Sequence, residues 1–441
     1  MIVCEVPATA GQRLLWLLDH YWGDQLRISM PICWKFRGNA EAELLDGAIA
    51  ALIQRHEAFR TTVTGGGARL RQCVHDALPV PLKRIDHTDT DADPELVQRE
   101  LASELAVPID AEQAPVRATL WRFRGEEYVC CITVHHLLTD GASTVIAVRD
   151  LLGLLQCARG RVVELPQILW QNSQFALWQR DFMRSAEMQE HRRYWHDRLA
   201  GVEFPRLPKP AALESVGQQA GSVTATLDGA IFGRLGIIAR AERVSLFSLM
   251  FGIFCALLRS ALGQDDLAVA TLLSNRLRYE VQNTVGFMAN MGILRVNLAG
   301  ANGLGEIVSR CHAAVAGALR YQAMPFQMLP PEITGAAGRR ADDIVFQMTR
   351  VPVRGEDLGG DLEMIQPAGV RSPFGMEIGL VQLSDRLFAN LRFNPARVDA
   401  AWASRLMSGY AALATRCAGE HSVSLHRVDT EWQTIHSATA G

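Results

Sequence analysis

Paired cysteines at CxxC spacing are absent from this 441-residue sequence, and its nine cysteines are an odd number set mostly within apolar runs. That pattern argues against a disulfide framework and against a structural zinc site; it fits reduced thiols in a cytoplasmic protein. An excess of one charge is also missing. Lys and Arg number 44 against 47 Asp and Glu, a net charge of −3, which leaves no electrostatic footprint for nucleic acid or an anionic membrane. No GxGxxG or Walker sequence occurs, so neither nicotinamide nor ATP chemistry is supported, and no GxSxG elbow supplies a serine nucleophile. The most apolar run, Val244 to Leu258, is shorter than a membrane span and ends against Arg259; it reads as a buried core helix. The first residues, "MIVCEVPATAGQRLLW", lack the basic and apolar regions of a secretory signal.

What is present is an ordinary globular composition, 49% hydrophobic and 21% charged, in a chain too long for one compact core. Helical spacing marks Gln12 to Tyr21, Ala40 to Arg55, Pro94 to Ala106 and Ser143 to Leu155. Strand patterns mark Ile32 to Phe36, Arg69 to Val74, Ala118 to Phe123 and Tyr128 to Val134. One long surface helix is predicted from Ser173 to Leu199, with the Pro-rich "FPRLPKP" (Phe204 to Pro210) as a connector. The second half repeats the theme with helices at Gly229 to Ala241, Leu246 to Leu262, Gly305 to Tyr321 and Asp399 to Ala418. Its strands are Ser222 to Leu227, Leu267 to Leu273, Asp343 to Thr349 and the pair Phe374 to Leu383 with Leu387 to Phe393. The fold class expected is α/β (α+β) in two halves, residues 1–175 and 176–441, joined near 200–212.

The chemistry concentrates in "TVHHLLTDG", Thr133 to Gly141. Adjacent strand residues face opposite ways, so His135 and His136 cannot share a role. Asp140 could fix the loop through an arginine or orient an imidazole directly, and Gly141 allows an unusual turn or a close approach. A lone histidine is usually structural, but His-His-x-x-x-Asp-Gly arises by chance in such a chain only on the order of one time in a thousand. With no protein nucleophile in sight, one imidazole suits direct general-base transfer of an activated acyl group to an amine or hydroxyl.

These residues resemble the condensation domains of nonribosomal peptide synthetases, within the chloramphenicol-acetyltransferase-like superfamily. "TAGQRLLW" (Thr9 to Trp16), "RHEAFRTTV" (Arg55 to Val63), "VHHLLTDGAS" (Val134 to Ser143), "SQFALWQ" (Ser173 to Gln179), "VGFMANMGILR" (Val285 to Arg295) and "YQAMPFQML" (Tyr321 to Leu329) follow the first six motifs of that family in order. "DDIVFQMTRVP" (Asp342 to Pro352) matches a seventh loosely. The resemblance implies two acetyltransferase-like lobes in a V-shaped pseudo-dimer with a tunnel between them. An acyl- or peptidyl-carrier protein would deliver the donor on a phosphopantetheine arm, and a small amine or alcohol acceptor would enter opposite. No bound cofactor or metal is expected, and the chain is expected to be a monomer that binds neither membrane nor nucleic acid.

By the same resemblance His136 takes the catalytic place, as general base or as a positioning group that stabilises the tetrahedral intermediate, while His135 supports the strand end. Asp140 is the structural aspartate, with Arg60 or Arg276 as its ion-pair partner, and Gly141 keeps the tunnel open. Ala142 stands where peptide-forming members often carry tryptophan. With Ser143, Met288, Asn290 and Met291 it is a candidate for the tunnel or acceptor pocket, the two methionines being core filler more often than not. The Met1 start near the first motif favours a free-standing enzyme over an excised domain. Two alternatives remain at this stage: an acyl-CoA-dependent O- or N-acyltransferase, and a catalytically silent domain that binds carrier proteins.

Overall fold

A computed structural model describes residues 1–22, 29–210, 221–330, 333, 340–350, 363–365, 367, 374–382, 386–420 and 423–438. The chain forms two compact units, and neither is a single run of chain. Against the expected division at 175/176, the first unit takes in 1–188, 274–289 and 353–370, and the second takes in 189–273, 290–352 and 371–441.

In the first unit, strand β7 (Glu127–His135) lies at the centre of a five-stranded sheet. It pairs antiparallel with β2 (Ser29–Arg37) on one side and β6 (Val116–Phe123) on the other. Beyond these lie β5 (Leu82–His87), parallel to β6, and β12 (Glu363–Met364), a late return of the chain beside β2. β7 is a continuous apolar run because both of its faces are covered. Tyr128, Cys130, Ile132 and Val134 enter one core with Leu45, Ile49 and Leu52 of helix α2 (Asn39–Arg55) and Ile146 and Leu151 of α4 (Gly141–Ala158). Val129 and Cys131 enter the other with Val97 and Leu101 of α3 (Pro94–Ala106). The strand period of two sorts them. A smaller sheet of β1 (Ile2–Pro7), β4 (Arg71–His75) and β3 (Thr61–Thr64) completes the unit, with α1 (Ala10–Trp22). Although α4 is long and apolar enough to cross a membrane by length and composition, its Ile146, Ala147, Leu151 and Leu155 are core residues.

A polar clamp ties α2 to α4. Asp150, buried on α4, accepts from Arg55 Nε at 2.7 Å, from Arg149 Nε at 2.8 Å (Oδ1) and from His56 Nε2 at 3.0 Å. Burial alone would raise the Asp150 pKa, but these donors bring it from the ordinary 3.8 to about 2. Burial is also the main influence on His56, and it holds the imidazole below its usual 6.5. Both groups have folded pKa values below their unfolded ones, so each contributes stability that is present at neutral pH and lost on acidification. Unfolding midpoints in urea should therefore fall in two stages, from about 6.5 downward through His56 and again between about 4 and 2 through Asp150. A midpoint that stays flat from pH 7 to 3 would contradict this reading of the clamp.

The predicted helix at 173–199 is two helices, α5 (Asn172–Phe182) and α6 (Ala186–Leu199). No Pro or Gly breaks it; Ser185 does. Its N–H closes on Phe182 O at 2.9 Å, while its Oγ accepts from Met188 N–H at 3.3 Å and so starts the next helix. Nor is α5 a surface element, since Phe175 and Phe182 are buried.

The second unit is built on a six-stranded sheet in the order β10–β9–β11–β13–β14–β8. The strands are β8 (Gly221–Leu227), β9 (Asp266–Leu273), β10 (Asn290–Asn297), β11 (Ile344–Arg350), β13 (Met376–Gln382) and β14 (Leu387–Phe393). β11 runs parallel to β9 and β13, and the remaining pairs are antiparallel. Helix α7 (Gly229–Ala241) precedes the apolar α8 (Leu246–Leu262), whose residues Ser248 to Leu258 are all buried. α8 is a core helix, as its sequence predicts. It packs against α9 (Leu304–Arg320), α10 (Ala400–Gly419) and a final helix, α11 (Leu425–Ala438). Sequence patterning misses β1, β5, β10, β12 and α11 and gives no bounds for β3. Residues 351–352 of the seventh motif and Leu383 lie outside the described residues.

Candidate active site

β7 stops at His135, and a single 3-10 turn, His136–Leu138, carries the chain to Asp140 at the cap of α4. The turn is pinned from below by Leu137 and Leu138, both fully buried, and from the side by Gln12 of α1. Gln12 Nε2 donates to Leu137 O at 2.9 Å and to Gln72 Oε1 at 3.0 Å, while its Oε1 accepts from Thr9 N–H at 2.8 Å. Gln72 Oε1 also accepts from Asn172 Nδ2 at 2.5 Å. The first motif therefore braces the third, and Asn172, just ahead of the fourth, is tied into the same cluster through Gln72. Gln12 is a residue that sequence reasoning misses, although a glutamine amid the apolar positions of an amphipathic helix is a readable signal.

The two histidines are held in opposite tautomers. The Leu137 N–H donates to His135 Nδ1 at 3.2 Å, so the His135 proton lies on Nε2, 3.7 Å from Asp19 Oδ2. His136 does the reverse. Its Nδ1–H donates to Thr139 O at 2.7 Å, which leaves the Nε2 lone pair as its basic site. His135 is buried, whereas His136 is half-buried. Desolvation is the chief influence on His136 and lowers its pKa, opposed by the Thr139 hydrogen bond and the Asp140 charge. A neutral imidazole with one free nitrogen is the form a general base needs. The Phe287 ring is T-shaped to it, with centroids 5.4 Å apart and planes at 79°.

Asp140 does not orient either imidazole. Its Oδ1 accepts from Ser143 N–H at 2.8 Å, and its Oδ2 from Arg276 Nη1 at 2.9 Å and the N–H groups of Met288 and Ala289 at 3.0 and 2.9 Å. Burial pushes its carboxyl up, but the Arg276 guanidinium and these donors outweigh it and hold the pKa below the usual range. Arg276 also donates from Nη2 to Ser143 Oγ at 2.8 Å and to Gly286 O at 3.1 Å. Of the two arginines considered, Arg276 is the partner. Arg60 instead turns its Nη1 to the His75 carbonyl, because the strand it leads into carries it toward β4.

The pocket candidates divide. Ser143 is fully buried and engaged with Arg276 and with both polar backbone groups of Gly286; it knots the fold and does not line a pocket. Met288 is core, packed with Phe175 and Val281. In the second unit, Asn290 donates to Gln322 O at 2.8 Å and to Met324 O, and accepts from Phe326 N–H at 3.0 Å. It therefore anchors the sixth motif. Met291 is half-buried on β10, opposite Leu272. Ala142 is half-buried and Gly141 exposed. Gly141 has an ordinary φ, so no special turn demands glycine there, and a Cβ on it would meet nothing within 4 Å. The expectation of an unusual backbone is corrected; the glycine faces open space.

Against this geometry, the family description "Condensation domain" matches residues 4–351. The chain belongs to the condensation-domain family. It is 25% identical over 429 residues to one of the linear gramicidin synthase proteins of Brevibacillus parabrevis, covering 93% of this chain and 8% of that one. It is 30% identical over 335 residues to the chondramide synthase cmdD of Chondromyces crocatus, covering 74% and 8%. This condensation domain thus spans less than a tenth of the length of either relative. The condensation domain of the monacolin K polyketide synthase MokA superposes with a TM-score of 0.81 at 18% identity, over 96% of this chain and 99% of that one. That likeness establishes the α/β fold.

Proposed function

We propose that this condensation domain transfers an acyl or aminoacyl group from a carrier-protein phosphopantetheine thioester to an amine or hydroxyl, forming an amide or ester in natural-product biosynthesis. The observation that carries the reading is the tautomer of His136, whose Nε2 is left basic while Nδ1 is held by Thr139. In the reaction, Nε2 takes the proton of the acceptor as its nitrogen or oxygen attacks the thioester carbonyl. Collapse of the tetrahedral adduct breaks the C–S bond, and the proton passes to the departing thiolate. His135 and Asp140 act through the loop: one braces its start, the other closes its end on Arg276. The chain works as a cytoplasmic monomer on carrier-bound donors, with the imidazole as the proton acceptor of the step.

The test is mass spectrometry of products from the purified protein with a panel of loaded carriers, acyl-CoA donors, amines and alcohols. Product from carrier donors alone supports the proposal, and turnover of acyl-CoA alone replaces it with a coenzyme A-dependent acyltransferase. Carrier binding with no product across the panel would leave a silent recruiting domain.

Gly141 gives a second check. Gly141→Ala is expected to keep the fold and to leave stability unchanged or raised by up to about 1 kcal/mol, because it removes unfolded-state freedom without a clash. Gly141→Trp should keep the melting temperature yet lose condensation, its bulk entering the space that the donor arm needs. Equal rates in wild type and Gly141→Trp would remove Gly141 from the site.

A further inference from the structure

One hydrogen bond fixes a point on an imidazole but not its plane. His136 has Nδ1 tethered to Thr139 O at 2.7 Å, and rotation about that tether would swing Nε2 away from any fixed reacting position. The second constraint is aromatic. The Phe287 and His136 rings lie 5.4 Å apart with their planes near perpendicular, in the favourable T-shaped arrangement for two π systems. Phe287 is itself half-buried, and its two successors, Met288 and Ala289, are bonded through their N–H groups to Asp140. The ring is thus built into the loop that closes the HHxxxDG turn. Gly11 of α1 lies against the same ring, where an added Cβ would lie 2.6 Å from Phe287 Cε1 and 3.0 Å from Cδ1. No left-handed backbone demands glycine at position 11; the ring does.

We propose that Phe287 is a positioning residue for His136, setting the plane of the imidazole and shielding it from water, and that Gly11 is kept bare to seat the Phe287 ring. The inference rests on the reading of His136 as the base. Phe287 carries no charge, so it acts on the imidazole through geometry and solvent alone. Among the described residues, the charged and titratable groups around His136 are Asp140, compensated by Arg276, and His135, with Asp19 beyond it. Removing Phe287 leaves all of these in place.

The experiment follows the His136 imidazole proton resonances of the full chain by NMR titration, alongside condensation rates against pH. Phe287→Ala should raise the His136 titration midpoint toward the ordinary value as water enters, and should lower kcat about tenfold, the factor that one aromatic pair can supply. KM should change less. Phe287→Leu, which keeps apolar bulk without a ring edge, should preserve the titration midpoint and still lose rate. Gly11→Ala should reproduce the Phe287→Ala shift by displacing the ring, and should add nothing in a Phe287→Ala background. Because the displaced atoms are the free end of a side chain, Gly11→Ala is expected to melt like the wild type. An unchanged His136 midpoint in folded Phe287→Ala overturns the proposal, as does full additivity of Gly11→Ala with it. If the wild type makes no product at all, the proposed function falls, and the titration arm still decides the role of Phe287.

Discussion

His136→Ala is expected to cost about 10²–10⁴-fold in the rate of condensation, the range that one positioned acid–base group supplies, while the melting temperature moves little. The asymmetry between the two histidines makes the test sharp. His136 is half-buried and gives up one hydrogen bond to Thr139 O, a loss of about 1 kcal/mol. His135 is buried, and His135→Ala strands the Leu137 N–H that it accepts from. The expected pattern is therefore loss of rate without loss of fold at 136, and loss of both at 135. The pH profile should agree. Only the neutral imidazole can accept a proton, and burial lowers its pKa, so the acid limb of kcat/KM should lie below 6.5. A limb above 6.5, or turnover by His136→Ala near the wild-type rate, would mean that another group is the base.

Arg276→Ala is expected to destabilise the first unit by about 3–5 kcal/mol, the cost of leaving one member of a buried ion pair without its partner. The arginine is bound by side-chain and backbone acceptors at once: Asp140, Ser143, Ser274, Thr284 and Gly286. Lysine cannot reproduce that planar fork, so Arg276→Lys should recover little. Asp140→Asn is expected to destabilise as well, because its single amide oxygen can serve only one side of a carboxylate that accepts from Ser143 on Oδ1 and from Arg276, Met288 and Ala289 on Oδ2, and Arg276 loses its counter-charge. Paired with Arg276→Met in a double-mutant cycle, it should show a coupling of about 1–3 kcal/mol in urea unfolding. Additive losses would demote the pair to two independent packing residues. Condensation should fall with Arg276→Ala even where the fold survives, since the N–H groups of Met288 and Ala289 lose their fixed acceptor.

The third motif is legible because its chemistry is local. His-His-x-x-x-Asp-Gly fills one strand end, one turn and one helix cap, all within a short stretch of chain. From sequence alone, the choice of His136 as the proposed base rests on family likeness; strand alternation says only that the two histidines differ, and with the strand ending before His136 it fixes no tautomer. What the sequence withholds is long-range. Arg60 and Arg276 are equal candidates for Asp140, and only the return of residues 274–289 to the first unit separates them. Ser143 reads as a pocket residue because its type and position allow it; its bonds to Arg276 and Gly286 are across 133 and 143 positions of chain. Ser185 breaks a helix that periodicity runs straight through, since a serine that caps and a serine that sits on a helix read alike. The final helix α11 escapes detection because nine of its fourteen residues are polar and break the apolar period, although Val428 is buried and the helix packs against α8.

The return of 274–289 to the first unit also sets a timetable. Asp140 and Arg276 are 136 positions apart, so at a synthesis rate of about 5–20 residues per second the aspartate waits roughly 7–27 s before its counter-charge exists. Until then the nascent first unit carries a carboxylate that has no guanidinium to meet it. Strands β2, β5, β6 and β7 can pair early, but the turn bearing His136 forms at first without the ion pair that closes it. Closure of the HHxxxDG loop is thus a late event in the birth of the first unit, followed only by the return of 353–370, and it is timed by the ribosome's passage through the second unit.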